Sequence, residues 1–398
     1  MNIFKNYFSN SIERLAINFL SRNNYGEIYV TFPSGISRNF IGNLQGHKAD
    51  IKFNNYKLIY KLFKNGSIGF AESYMDGDFE TQNLSNLLLF AHQNELSYLN
   101  KKKANFVNNF SIKLHHYLNQ NTKKGSKRNI YHHYDLGNNF YKYWLDESMT
   151  YSSALFKNKT DDLNKAQINK YSEIVNQLKL NDNSKLLEIG CGWGGFSTFV
   201  AKNYGSKVKA ITISKQQYEF TANKIFKEGL NERITLEMCD YRDVKEKFSH
   251  IASIEMFEAV GKEYWHTYFD KLKNSLSDNG LASLQIITIK DDKADYYQNN
   301  PDFIQQYIFP GGFLPSFKSL NKLSNKSGLK IEGYHLYGLH YSNTLEKWRE
   351  SFLNSWDLIS RQGFNLNFKK MWDFYFSYCQ AGFKSKNIDL IQFSLCNK

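Results

Sequence analysis

Apolar positions recur along this chain with a helical period in some stretches and a strand period in others. Residues 3–20 place Phe4, Phe8, Ile12, Leu15, Ala16, Phe19 and Leu20 on one helical face. That face predicts packing on its own domain, with docking on a membrane as the alternative. Glu27–Phe32 and Ala49–Phe53 read as strands, Lys57–Asn65 and Gly69–Asp78 as short helices joined by a tight turn, and Leu84–Ala91 as an apolar helix. An amphipathic helix over 165–179 then leads into a regular alternation. Strands are predicted at Lys185–Ile189, Val208–Ile213, Ile234–Cys239, Ile251–Met256 and Leu281–Ile289, with helices at Gln216–Glu228 and Tyr264–Leu276 between them. This order predicts an α/β fold with a doubly wound parallel sheet and helices on both faces. Helices at Thr344–Ser360 and Phe368–Phe383 and a strand at Leu390–Leu395 follow.

Composition divides the same chain by role. Residues 1–100 carry no catalytic constellation and read as a smaller α+β accessory domain; 131–398 read as the chemical domain. Between them, 101–130 form a basic linker, where Lys101, Lys102, Lys103, Lys113, Lys123, Lys124, Lys127 and Arg128 are interleaved with Phe106, Phe110, Leu114, Tyr117 and Leu118. Such a run reads either as a solvated face or as a segment lying on anionic headgroups. A net charge of +13 favours anionic partners, nucleic acid or an anionic membrane surface, and no nucleic-acid recognition motif is visible. The four cysteines lack CxxC spacing, which fits a reducing cytosol. Neither a membrane-spanning apolar run nor a signal-peptide block is present, so a cytoplasmic protein is expected. His132 and His133 are adjacent, which points them apart, and no nearby Cys or His completes a metal set. Their stretch, Tyr131–Phe156, reads as a polar segment capping a pocket.

The candidate chemistry centres on Lys185–Ala201, KLLEIGCGWGGFSTFVA. A buried strand here turns into a helix through Gly190, Gly192 and Gly194, which would let a ligand sit against bare main chain. A dinucleotide fingerprint would read GxGxxG with an acid about twenty residues on. The spacing here is GxGxG, the second strand ends in Thr212-Ile213-Ser214 without a carboxylate, and no Walker lysine follows. Glu188 stands just before the glycines, where its charge would face a cationic ligand.

Together with GFAESYMDGDF, HYDLGNNFY, TYSSALF, AITISKQQ, CDYRD, EMFEAVG, YIFPGGFLPS and YCQAGF, this stretch resembles the cyclopropane-fatty-acyl-phospholipid synthase family over essentially the whole chain. The EAVG, LQ and FPGG variants look closer to the plant-type pattern. The resemblance implies a Rossmann-like class I methyltransferase fold and an enzyme carrying the methyl of S-adenosylmethionine to a cis double bond of a phospholipid acyl chain. It also implies peripheral association with the inner face of the membrane, with a homodimer left open. Carried over by position, Tyr151, Ser152, the glycine loop, Thr212, Gln217, Asp240 and Tyr241 would hold S-adenosylmethionine. Glu258 and Tyr341, with main chain from Ile287, would position a bicarbonate that serves as general base.

Ser153, Ala259 and Gln285 stand where the family carries cysteine, histidine and histidine. Gln285 can donate a hydrogen bond but cannot titrate near neutral pH. Aromatic faces suit the carbocation formed on the alkene, and Tyr151, Phe257, Tyr307, Phe313 and Tyr341 are the candidates. Proton loss from this cation gives a cyclopropane ring or a methylene branch, which reduction turns into a methyl branch. A methyltransferase of small soluble substrates and a non-catalytic lipid- or nucleic-acid-binding module are the competing readings.

Overall fold

The computed structural model describes residues 2–98 and 136–398. The basic linker at 101–130 and the His132–Asp135 segment therefore lie outside the described residues, as do the side chains of Phe4 and Phe8. Two compact units form, one from the N-terminal residues with Ser360–Ser385, the other from the central residues with Lys386–Lys398.

In the first unit, strands β1 (Tyr25–Thr31), β2 (Ser37–Ile41), β3 (Leu44–Phe53) and β4 (Phe79–Glu80) form a sheet in the order β2-β1-β3-β4. Ile28, Val30, Phe32, Ile51 and Phe53, alternating along β1 and β3, meet Leu87 and Phe90 of the helix Leu84–Gln93. The first helix, Asn2–Leu20, packs Ala16, Ile17 and Leu20 on this core, while Leu15 points to solvent. Gly66, at φ +57°, kinks the helix Lys57–Met75 at the break that the sequence predicts. The helix Leu366–Lys384, read from sequence as part of the 131–398 segment, belongs to this unit: Tyr74 donates to Asp373 at 2.5 Å and Ser85 to Gln380 at 2.5 Å. Each of these bonds has one end in a motif of the family resemblance, Tyr74 in GFAESYMDGDF and Gln380 in YCQAGF.

The second unit is built on β5 (Lys185–Ile189), β6 (Lys207–Thr212), β7 (Ile234–Met238), β8 (Phe248–Ile254), β9 (Leu276–Ile289), β10 (Leu329–Leu336) and β11 (Ile388–Asn397). Their order is β10-β11-β9-β8-β5-β6-β7, with β5 to β9 mutually parallel. Leu187 and Ile189 face one core, shared with Phe269 and Leu272 of the helix Trp265–Ser275; Leu186 faces the other, shared with Ile174 and Val175 of the helix Leu163–Leu178. Helices therefore cover both faces, the arrangement of a class I methyltransferase.

The sequence predicts a parallel sheet, but β11 runs antiparallel to both β9 and β10. The chain enters β11 at Ile388 opposite Ile289, the carboxyl end of β9, so it can only run back along that strand. Strand β10 and the helix Asp291–Asn299 show no sustained period in sequence, whereas the helix Phe317–Lys326 carries one, Phe317, Leu320 and Leu323 on one face, that the sequence reading missed.

Candidate active site

Parallel strands present their carboxyl ends together, and there the loops of β5, β6, β7 and β8 converge. After β5 the N–H groups of Gly190 and Cys191 both donate to the Ile211 carbonyl at 3.0 Å, tying the loop to β6. Gly192 (φ +55°) and Gly194 (φ +77°) sit in the left-handed region that favours glycine, and they differ in surroundings. A Cβ at Gly194 would meet Thr221 Cγ2 at 2.6 Å, whereas a Cβ at Gly192 would meet nothing within 4 Å. One glycine is required by packing, and the other leaves a bare surface for a ligand. The loop opens directly onto the helix Gly195–Tyr204.

Thr212 and Gln217 come together at the end of β6, Thr212 Oγ1 donating to Gln217 Oε1 at 3.0 Å. At the end of β7, Asp240 takes a bidentate pair from Arg242 at 2.8 and 2.7 Å, and Tyr241 packs edge-on to Tyr268. Tyr151 stands among Trp144, Trp348 and Phe309, with ring centroids at 5.3, 5.3 and 6.3 Å. The neighbouring Ser152 turns inward, its hydroxyl accepting from Lys170 Nζ at 2.8 Å.

Glu188 does not face a ligand. Alternation along β5 sends it to the face covered by the helix Gly195–Tyr204, where it is buried and accepts from the Ser197 hydroxyl. Burial pushes its carboxyl up to about 7. Lys170, on the helix Leu163–Leu178, is likewise buried, and burial pushes its ammonium down to about 8 against the pull of the Glu255 charge. The sequence reading missed this lysine. Its signal was a charge among the buried positions of an amphipathic helix.

A second missed residue, Glu255, occupies the centre of the site. It follows β8 at φ +50°, a left-handed conformation in a residue with a side chain, and is partly buried. Its carboxylate accepts from Tyr341 Oη at 2.6 Å, Gln285 Nε2 at 2.7 Å and Ser153 N at 2.9 Å. Burial raises its pKa above the ordinary carboxylate range, and these donors oppose the rise.

Glu258, three residues on, accepts from Ile287 N at 2.5 Å, and its Oε2 has no hydrogen-bond partner among the described residues. Burial, with the Glu255 charge beside it, pushes Glu258 up to about 8. The five residues carried over as catalytic are thus brought together, but Tyr341, Gln285 and Ser153 serve Glu255 and only Ile287 serves Glu258. Met256, between the glutamates, links them to the cofactor loop: a Cβ at Gly190 would meet its Cγ at 2.7 Å.

The rings divide in two. Tyr341 joins Tyr151 through Trp348, at 6.0 Å, beside the carboxylates. Phe257 and Phe313 lie instead in the sheet core against Trp265, because their neighbours there are wholly apolar or aromatic. Tyr307 stacks on Phe303. Phe313 contributes through its backbone, its N–H donating to the Glu258 carbonyl at 2.8 Å.

The family model described as Mycolic acid cyclopropane synthetase matches residues 121–393. The cyclopropane-fatty-acyl-phospholipid synthase of Escherichia coli (strain K12) is 34% identical over 344 residues, 86% of this chain and 87% of its own. A tuberculostearic acid methyltransferase of Mycobacterium tuberculosis is 31% identical over 349 residues, 85% of this chain and 81% of its own. Among solved structures, a cyclopropane synthase from Mycobacterium tuberculosis superposes with a TM-score of 0.64 at 26% identity, covering 68% of this chain and 97% of that one. A mycolic acid cyclopropane synthase complexed with SAH and CTAB gives 0.62 at 26% identity, covering 68% and 98%. The chain belongs to the cyclopropane synthase family and is an S-adenosylmethionine-dependent methyltransferase.

Proposed function

We propose that this enzyme adds a methyl carbon to a cis double bond of an acyl chain in membrane phospholipid and closes it to a cyclopropane ring. The observation that carries the reading is the buried carboxylate centre of Glu255 and Glu258, which abuts the cofactor loop through Met256 and Gly190. A methyltransferase acting on a heteroatom has no need of a base for carbon-bound protons, whereas an olefin must lose one after methylation. S-adenosylmethionine, held by the bare main chain at Gly192 with Thr212, Gln217 and Asp240 around it, supplies the electrophilic methyl.

The protein's own residues supply the rest. Trp144, Trp348, Tyr151 and Tyr341 exclude water and offer π faces to a cation, and a buried carboxylate holds the released proton. Whether a 1,2-hydride shift moves the cation to the methyl-bearing carbon before the methyl loses that proton sets the product, a ring or a methylene branch of equal mass.

Reaching an acyl chain requires contact with the bilayer. Among the described residues no helix is long and apolar enough to cross a membrane. Docking is assigned to the first unit, where Tyr60 and Phe63 are 65% and 67% exposed and Lys64 lies over the Tyr60 ring. The net charge of +13 favours an anionic surface as the partner.

Expression in a bacterium lacking its own synthase tests the reaction: each modified unsaturated chain gains one CH2 by mass spectrometry, and NMR separates ring from methylene. Unchanged lipids with cofactor binding intact would overturn it in favour of a small soluble substrate. Docking predicts binding to anionic vesicles that weakens as salt rises, and equal binding to neutral vesicles would refute it.

A further inference from the structure

We infer that the Glu255 carboxylate is itself the general base of this site, standing where the family resemblance places a bound bicarbonate, so that the enzyme turns over without bicarbonate. The inference rests on the proposed function and deepens it.

The donor set carries the argument. Ser153 N, Gln285 Nε2 and Tyr341 Oη all donate to Glu255, and Ile287 N donates to Glu258. A bicarbonate and a carboxylate present the same two planar anionic oxygens, so they compete for the same donors. A second anion beside Glu255 would be buried against like charge without the donors that make burial tolerable. The residues present do not fit bicarbonate.

The frame around Glu255 holds it in this role. Its φ of +50° is a strained conformation for a residue with a Cβ. Its own N–H is fixed by the Gln285 carbonyl at 2.8 Å. Gln285 is oriented in turn by a buried amide chain. Gln392 Nε2 donates to Gln285 Oε1 at 2.8 Å, Gln177 Nε2 to Gln392 Oε1 at 2.9 Å, and Ser283 Oγ to Gln177 Oε1 at 2.8 Å. With Gln285 Oε1 occupied, its amide donates to Glu255 and to the Ser153 carbonyl. A glutamine there donates without competing for the proton, which accounts for its replacing a titratable histidine.

The two glutamates divide the work. Glu258 has one backbone donor and an unpartnered oxygen, so it keeps its proton near neutrality. Glu255 has three donors, which favour its ionised form over that of Glu258. In the step assigned to it, a C–H bond of the methyl carbon newly joined to the acyl chain breaks. The electron pair closes the third C–C bond of the ring, and the proton passes to a Glu255 oxygen. It leaves to solvent when the product departs.

The test is Glu255→Gly in the full chain, with wild type beside it. Glycine is relaxed at this φ, so the variant folds, which a thermal melt verifies, and it leaves three donors facing a carboxylate-sized space. Titration with 13C-labelled bicarbonate, followed by NMR without lipid, should show no saturable binding to wild type and saturable binding to the variant. Turnover on phospholipid vesicles with S-adenosylmethionine should be the same for wild type in CO2-stripped and bicarbonate-supplemented buffer. The variant should lose about 10²–10⁴-fold and recover in part with bicarbonate or formate. Saturable bicarbonate binding by wild type, a wild-type rate that falls on CO2 stripping, or an unimpaired variant would overturn the inference. A wild type that excludes bicarbonate yet leaves acyl chains unmodified would count against the proposed function alone.

Discussion

Alanine at Gly192 separates the two demands placed on the cofactor loop, turning the backbone and leaving room for a ligand. At φ +55° the added Cβ is strained by roughly 1–2 kcal/mol, and with nothing within 4 Å it adds no clash. For a unit of this size each kcal/mol lowers Tm by about 2–4 °C, so Gly192→Ala should melt roughly 2–8 °C below wild type. Its methyl group nevertheless projects into the space assigned to the cofactor. Overpacking of that kind costs about 1–3 kcal/mol, a roughly 5–150-fold rise in Kd.

Gly194→Ala is the counterpart, because its Cβ would lie 2.6 Å from the Thr221 methyl on top of the same backbone strain. It should lose more in Tm than Gly192→Ala. Calorimetry and quenching of intrinsic fluorescence by S-adenosylmethionine read the two effects separately. Gly192→Ala that melts as expected yet binds within about twofold of wild type would refute the assignment of the open face to the cofactor.

Three further perturbations probe the carboxylate centre. Tyr341→Phe removes a hydrogen bond that favours ionised Glu255, so its pKa rises further and the acidic limb of the kcat pH profile moves to higher pH; a limb that stays in place contradicts the link. Glu258 titrates at about 8 in the folded protein against 4.5 ordinarily, so between those values the folded state keeps a proton the unfolded chain has lost. Stability should therefore fall as pH rises from about 5 to about 8, and Glu258→Gln should flatten that fall in urea midpoints measured at the two ends. Gln392→Leu breaks the buried amide chain, leaving Gln285 Oε1 and a Gln177 donor without partners, at about 1–3 kcal/mol of stability. With Gln285 freed to turn, kcat should drop while the Kd for S-adenosylmethionine holds; an unchanged kcat would remove the chain from catalysis.

Several features of this protein were legible in sequence because each is a local property. The alternation of strand and helix periods and the glycine turn after β5 depend on residues close together in the chain. The chemistry of the centre was less legible. EMFEAVG contains both glutamates, and the family pattern pointed to Glu258. Which one meets Tyr341 depends on the left-handed turn at Glu255 and on a helix, Gly338–Asn354, that returns more than eighty positions later. Equally, nothing near Glu188 in sequence says that its strand face will be covered, or that Lys170 will be buried nearby.

Sequence by itself determined the class of sheet, the cofactor loop and the residue types available to the site. Tertiary structure alone decided the antiparallel entry of β11, the placing of the helix Leu366–Lys384 in the first unit, and the gathering of Ser153, Gln285 and Tyr341 around one carboxylate. Periodicity and turn chemistry act over a few residues, while burial and donor geometry are properties of segments that meet only once the chain has folded.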